Sequence, residues 1–279
     1  DFIWKTFDDY LADVEKWAIE CKRLLKDNGT LFWYGDAKNI AYAQIVFDKH
    51  LNLLNSIVWE NTNDHKQQIR FNEDLRSFAP LTERILMYSN EQYNLTQCVY
   101  HIRDYIRAEI TKAKGKIVLK HVNQALGTAT NGGGVASACL SLDKAEPTMI
   151  TKEMYEKLQT WCKPYLNKEY EELRKEYEEL RRPFNNYLHL GDVIRLPNYE
   201  TSNYEHDTIK PEKLTRMLIT ICAKKEDTIL VPFAGSGTEC AMAVKENCNF
   251  YGFEITKKHA DMSNKRVSKI MCNPCLPFE

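Results

Sequence analysis

The sequence predicts an α/β fold in which a sheet is wrapped by helices and interrupted by a mainly helical insertion. Three observations predict it. Helical apolar periodicity alternates with short β-branched runs from Phe7 to Trp59, the alternation resumes after residue 188, and residues 95 to about 185 hold no strand of convincing length. Alternating helix and strand patterns point to a mostly parallel sheet with helices on its faces. At 279 residues the chain is long enough for one large domain, or for one domain carrying an insertion. The expected division is 1–94 for the first half of the sheet, 95–187 for the insertion and 188–279 for the second half.

Phe7, Tyr10, Leu11, Val14, Trp17, Ala18, Cys21, Leu24 and Leu25 fall on one stripe, which predicts a helix that Asp27-Asn28-Gly29 stops. Thr30 to Tyr34 reads as a strand. Asp36 is the expected cap of a second helix through about Lys49, with Ile40, Ala43, Ile45, Val46 and Phe47 inward, and Leu53 to Trp59 is the next strand. Residues 60–78 are polar and without a period; so long a connection is uncommon unless it works or is ordered by a ligand. About Arg84 to Tyr88 brings the chain back as a strand.

The insertion opens on a basic stretch. Between residues 99 and 124, Arg103, Arg107, Lys112, Lys114, Lys116 and Lys120 face only Asp104 and Glu109, an excess of four positive charges. Ile117 to Leu126, a turn over Gly127 to Gly133 and a second short helix over Gly134 to Leu142 have the outline of a helix-turn-helix, although three consecutive glycines equally suit a flexible connection. Thr151 to Trp161 reads as a further helix. Lys168 to Arg182 repeats a seven-residue pattern twice, with Tyr170, Leu173, Tyr177 and Leu180 on a seam that should pack on the domain, since two heptads are too few for an independent coiled coil.

The most informative stretch comes late: Thr228-Ile-Leu-Val-Pro-Phe-Ala-Gly-Ser-Gly-Thr-Glu239, then Asn249-Phe-Tyr-Gly-Phe-Glu-Ile255. It reads as strand, glycine loop, helix, strand and acid. Gly235 and Gly237 let the backbone turn and approach a ligand at a helix start, while Glu254 sits where a carboxylate can accept both hydroxyls of a ribose. A dinucleotide fingerprint needs a third glycine, and the place three after Gly237 is Cys240, so a nucleoside with a short tail fits better.

Pro232-Phe-Ala-Gly-Ser-Gly-Thr238 resembles the S-adenosylmethionine loop of amino-group DNA methyltransferases. Two further phrases resemble that family: Lys210-Pro211 before a helix, and Ser77-Phe-Ala-Pro-Leu-Thr-Glu83 before the returning strand. The order of parts resembles its β-class, which implies a Rossmann-like methyltransferase sheet whose catalytic half comes first, a helical target-recognition insertion, and a cofactor half last. The resemblance implies S-adenosylmethionine as cofactor, held by Lys210, Pro211, Pro232, Phe233, Ala234, Gly235, Ser236, Gly237, Thr238 and Glu254, with Lys210 neutralising the cofactor carboxylate. Val231 departs from the family, where an acid often precedes the Pro-Phe pair.

The family's catalytic tetrad, an Asp, Asn or Ser followed by Pro-Pro and an aromatic residue, has no match here, since the chain contains no Pro-Pro pair. The expectation is that this tetrad and its strand lie outside the present sequence, and no residue is assigned a catalytic role. The implied reaction is transfer of a methyl group to the exocyclic amine of a base flipped out of double-stranded DNA, adenine N6 first, cytosine N4 as the rival. A relative that binds cofactor and DNA without catalysing is the reading from a different class; duplex RNA is disfavoured because it offers a helix no readable major groove. The candidate DNA contacts are Arg103, Arg107, Lys112, Lys114, Lys116 and Lys120 on phosphates, Asn131, Ser137 and Ser141 on base edges, and Arg70 in the polar loop, with Asn61, Asn63 and His65 near it. A homodimer and a companion restriction endonuclease are partners the resemblance allows.

Composition sets outer bounds. Hydrophobic residues at 43% against charged residues at 28% describe a soluble chain without the ~20-residue apolar run a membrane span needs. A net charge of −1 means that any DNA surface must be a local patch. Nine cysteines without repeated spacing, several in apolar helical segments, suggest reduced thiols in a cytoplasm, which the resemblance implies is that of a bacterium, the gene being bacterial or phage-encoded, and the lone Cys272/Cys275 pair does not make a metal site.

Overall fold

The computed structural model describes residues 4–90, 95–131, 133–145, 147–199 and 208–272. The chain divides into two compact units, Asp1–Asn90 with Pro183–Glu279, and Glu91–Arg182.

In the first unit, α1 (Phe7–Leu24) begins with a reciprocal cap: Thr6 accepts the Asp9 N–H and Asp9 accepts the Thr6 N–H, with acids in the first turn and Lys22 and Arg23 in the last. Then come β1 (Thr30–Asp36), α2 (Ile40–Phe47), β2 (Asn52–Asn61), the short α3 (Asp64–Gln68), and β3 (Thr82–Ser89). Asp36 does not cap α2 directly. It folds the turn before it, accepting the Lys38 and Asn39 N–H groups, and the helix starts at Ile40. Ile45, expected inward, is 63% exposed, because Ala43, Val46 and Phe47 take the buried face of so short a helix.

The sheet is mixed rather than parallel throughout. Its order is β1-β3-β2-β4, with β3 antiparallel to both neighbours and β4 (Val193–Leu196) parallel to β2. The β2-to-β3 connection carries the five-residue helix and a 3-10 turn at Ile69–Phe71, and the chain returns antiparallel to β2. Strand β3 slots between β1 and β2 and is buried on both faces. Leu86 and Tyr88 join Val14, Ala18, Ala43 and Phe47 on one side, while Ile85 and Met87 join Ile57, Trp59 and α9 (Glu212–Cys222) through Leu214, Met217 and Leu218 on the other.

A second, two-stranded sheet pairs β5 (Thr228–Val231) in parallel with β6 (Asn249–Gly252), joined by α10 (Thr238–Lys245) and followed by α11 (Lys257–Cys272). Its core is Val231, Ala234, Cys240, Ala241, Met242, Ala243 and Val267. Among the described residues, β1 pairs only with β3, and β5 only with β6.

The second unit is helical: α4 (Leu95–Lys114), α5 (Leu119–Leu126), α6 (Val135–Leu140), α7 (Lys152–Cys162) and α8 (Tyr170–Leu180). Val99, Ile102, Ile106 and Ile110 run along one face of α4 at helical spacing and meet Val122, Leu126, Leu140, Tyr155, Leu158, Leu173 and Tyr177. Tyr170 and Leu180 complete the α8 seam on this core.

The glycine-rich turn between α5 and α6 is pinned. Asn123, 2% exposed, accepts the Ala136 N–H at 2.8 Å and the Thr128 hydroxyl at 2.9 Å, and donates to the Gly133 carbonyl at 3.0 Å. Gly134 sits at φ +107°, where a Cβ would lie 2.5 Å from the Ala129 carbonyl oxygen. Asn123→Ala should therefore cost roughly 2–5 kcal/mol, because buried donors and acceptors are left unmade. Urea unfolding would show it as a lower midpoint, and an unchanged midpoint would mean that the turn holds without this side chain.

Among the described residues no helix is long and apolar enough to cross a membrane, and no group of His, Cys, Asp and Glu is suited to a metal ion. Cys275 lies outside the described residues. Burial pushes the Cys98, Cys139, Cys162 and Cys248 thiols up, and those of Cys21 and Cys240 to about 11, so these sulfurs are unreactive core groups.

Candidate active site

The loop between β5 and α10 is closed by backbone geometry. Gly235 adopts φ +49° and Gly237 φ +75°, the Gly237 N–H donates to the Ala234 carbonyl at 2.7 Å, and the Ala234 N–H reaches the Phe253 carbonyl at 2.8 Å. Since β5 and β6 are parallel, this loop and Glu254 both leave the carboxyl ends of their strands, where ligands bind in open α/β sheets.

Glu254 is tied to the loop: one carboxylate oxygen accepts the Gly235 N–H at 2.9 Å and the other the Thr256 N–H at 2.8 Å. Burial alone would raise its pKa, but these bonds and the nearby His259 outweigh it, and the carboxyl is held below the usual value. The Thr256 side chain bonds the carboxylate as well, so that of its about four acceptor positions one stays open to a ligand hydroxyl.

Cys240, which breaks the dinucleotide fingerprint, faces Gly252 on β6; a Cβ there would lie 2.7 Å from its sulfur. Close helix–strand packing thus survives with the small residue moved from helix to strand.

The Lys-Pro element places Pro211 immediately before α9. Lys210 Nζ lies 2.6 Å from Glu83 Oε2 and over the rings of Tyr34 and Trp59, 5.2 and 5.9 Å from their centroids. Glu83 starts β3 opposite Asp36 and Trp59, so it too stands at the carboxyl ends of β1 and β2. Burial pushes the Tyr34 phenol up, with Glu239 adding to the effect. Glu239, in the first turn of α10, is itself raised by burial against the pull of its own backbone N–H, Lys210 and Arg266. The Lys-Pro element and the glycine-loop helix therefore converge.

Three loop side chains behave differently from expectation. Ser236 and Thr238, 4% and 1% exposed, turn away from the loop's outer side toward the buried Arg266, so they offer a ligand backbone rather than hydroxyls. Phe233 sets its ring edge-on to Trp17 at 4.9 Å and Trp33 at 6.1 Å and joins the loop to α1 and β1. Pro232 is exposed and Ala234 is buried.

Sequence reasoning missed Arg266, Glu212 and Glu239. A signal existed for the first: Ser263, Arg266 and Val267 share the buried stripe of α11, and a lone arginine there must have a partner.

The expected DNA contacts separate by exposure. Lys112, Lys114, Lys116, Lys120 and Asn131 are exposed, although Lys112 pairs with Glu109 and Lys114 lies over Trp161. Arg103 is buried, a correction to its expected exposure, and Arg107 is half-buried. Arg103 is 9% exposed, stacks on Tyr100 and bonds Asp104 and the Ser141 carbonyl, and Arg107 donates to the Leu140 carbonyl, because these carbonyls end a short helix and need donors. The second helix of the turn is also shorter than expected, six residues with Ala136, Cys139 and Leu140 buried. Asn131 lies before it and Ser141 is its C-cap, leaving half-buried Ser137 as the one candidate inside it.

In the polar loop Arg70 is exposed and donates to the Gln67 carbonyl. Asn61 and Asn63 are committed elsewhere: Asn61 accepts the Asn63 and Asn198 N–H groups, and Asn63 donates to the Asn198 carbonyl. Residues 200–207 lie outside the described residues.

Comparison with known proteins decides the family. Residues 3–265 match the profile of the DNA methylases of the N6/N4 type. This chain belongs to the N6/N4 DNA methylase family. It is 24% identical over 275 residues to the type II methyltransferase M.HinfI of Haemophilus influenzae, covering 97% of this chain and 56% of M.HinfI. It is 35% identical over 88 residues to the DNA adenine methyltransferase YhdJ of Escherichia coli (strain K12), 30% of each protein. The chain thus spans about half the length of M.HinfI and less of the other relative. Two solved structures share the fold: the cytosine-N4-specific PvuII DNA methyltransferase, with a TM-score of 0.52 at 12% identity over 95% of this chain and 75% of that one, and the Thermus thermophilus protein TTHA0409 complexed with S-adenosyl-L-methionine, with a TM-score of 0.51 at 16% identity over 96% and 83%.

Proposed function

We propose that this methylase binds S-adenosylmethionine at the Gly235 loop and serves a site-specific transfer of its methyl group to the exocyclic amine of a flipped DNA base, adenine N6. The observation that carries the reading is the convergence of three anchors at the carboxyl ends of the strands: the Gly235–Gly237 backbone, the Glu254 carboxylate and the Lys210 ammonium. Their chemistry fits the two polar ends of the cofactor. Glu254 keeps an acceptor position for a ribose hydroxyl, and Lys210, with three donors of which Glu83 takes one, keeps two for a carboxylate.

The bound cofactor supplies a methyl group on a cationic sulfur. The chain's own part is orientation: Glu254 and the loop fix the adenosine end, Lys210 the amino-acid end, and holding both limits the approach of the methyl group to one geometry. The relatedness to YhdJ favours adenine over the cytosine-N4 reading. Labelled methyl transfer to duplex DNA by the intact protein containing this chain, with the product nucleoside identified, tests the proposal. N6-methyladenine supports it, and N4-methylcytosine replaces the target. Cofactor binding with no transfer overturns the catalytic part and leaves a relative that binds without catalysing.

The exposed lysines of the helical unit are proposed as phosphate contacts, with Asn131 and Ser137 toward the bases. Replacing Lys112, Lys114 and Lys116 together by Gln should weaken DNA binding and reduce the slope of log K against log salt by up to ~3, about 0.9 for each phosphate no longer neutralised. An unaltered slope in a filter-binding titration would move the contacts elsewhere.

A further inference from the structure

We infer that Arg266 is a positioning residue that couples the two ends of the cofactor site, fixing the Lys-Pro helix and the Gly-Ser-Gly loop in one mutual geometry. The inference rests on the cofactor reading above and adds a residue that makes no contact with the ligand.

Arg266 lies on α11 and is 4% exposed. A guanidinium taken from water must be paired and hydrogen-bonded, and this one is paired in two directions. One terminal nitrogen reaches the Thr238 hydroxyl at 2.8 Å, the Ser236 hydroxyl at 3.4 Å and the Ser236 carbonyl at 3.5 Å; the other reaches Glu212 Oε1 at 2.7 Å. Glu212 is the first residue of α9, two beyond Lys210, and its second oxygen takes Lys245 from α10 at 2.9 Å. A single side chain therefore bridges the loop at the adenosine end and the helix start that carries Lys210.

Two observations separate this arrangement from ordinary core packing. The Ser236 and Thr238 hydroxyls are turned onto Arg266, so the shape the loop offers a ligand is set from behind. One turn earlier on α11, Ser263 packs so closely on Gly237 that a Cβ at Gly237 would lie 2.8 Å from the Ser263 Cα. The helix thus grips the loop at consecutive turns while its guanidinium holds α9. Burial would raise the Glu212 pKa, yet Arg266 and Lys245 hold it below the usual value, so the bridge stays charged at neutral pH. Lysine cannot replace arginine here, because a point charge on a flexible stem lacks the fork that spans both partners.

The test uses the full chain and two ligands: S-adenosylhomocysteine, which carries both ends, and 5′-methylthioadenosine, which lacks the amino-acid end. By calorimetry, Arg266→Lys and Glu212→Gln should each weaken S-adenosylhomocysteine about tenfold, within the usual span of coupling between two sites, and weaken 5′-methylthioadenosine by far less. Equal losses for both ligands, or none, would overturn the coupling and leave Arg266 as a prop of the loop alone. Should Arg266→Lys fail to fold, Glu212→Gln decides the matter, since its carboxylate is 28% exposed and sits at a helix start. Wild-type chain that binds neither ligand would overturn the cofactor reading, and this inference with it; wild-type binding with an unchanged ligand ratio in the variants overturns the inference only.

Discussion

Glu254→Gln is expected to lower the affinity for S-adenosylhomocysteine on the order of 10- to 100-fold, measured by calorimetry. Hydrogen bonds to an ionised group contribute about 1.5–3 kcal/mol each, and the substitution removes the charge that makes them strong. Gln is the informative choice. Glu254 accepts the Gly235 N–H as well as that of Thr256, so Glu254→Ala would orphan the loop amide and mix a ligand effect with a loop effect. The amide oxygen of Gln still accepts one of them. Unchanged affinity in a folded Glu254→Gln protein would take this residue out of the ribose role.

Gly237→Ala should be the most damaging single change in the loop. At φ +75° an L side chain is strained, and the added Cβ would lie 2.2 Å from the Ser263 hydroxyl and 2.8 Å from its Cα. Strain and overpacking each cost about 1–3 kcal/mol, a large share of the ~5–15 kcal/mol that holds a domain together. Ser263→Ala should not rescue it, because the Cα overlap remains. Gly191→Ala is the control: nothing lies within 4 Å of its added Cβ, so its urea midpoint should stay at the wild-type value. A wild-type midpoint for Gly237→Ala would mean that α11 yields easily, which would also weaken the case that it grips the loop.

Much of the glycine-loop region was legible because its signals are local. A β-branched run, two glycines, an apolar helix and an acid at the end of the next strand are neighbours in sequence, and their roles follow from backbone sterics and strand direction. The same is true of Asp27-Asn28-Gly29 ending α1 and of the Tyr/Leu seam of α8. Where side chains that look free in the sequence are engaged in the structure, a long-range partner is the reason. Arg103 and Arg107 belong to a basic run and look solvated, but carbonyls from residues 140 and 141 claim them. Asn61 and Asn63 look like free loop amides, but Asn198 claims them across more than 130 residues. The antiparallel β3 was hidden for a related reason: periodicity reports which faces are buried and carries no information about strand direction.

By itself the sequence determined the elements, the glycine bend, the acid after β6 and the basic stretch of the helical unit, since each depends on neighbours a few bonds or one helical turn away. Only the tertiary structure decided which charges are spent internally. Lys210 on Glu83, Arg266 on Glu212 and Thr238, and Arg103 on a helix end are pairings between distant segments, fixed by the cost of burying a charge without a partner.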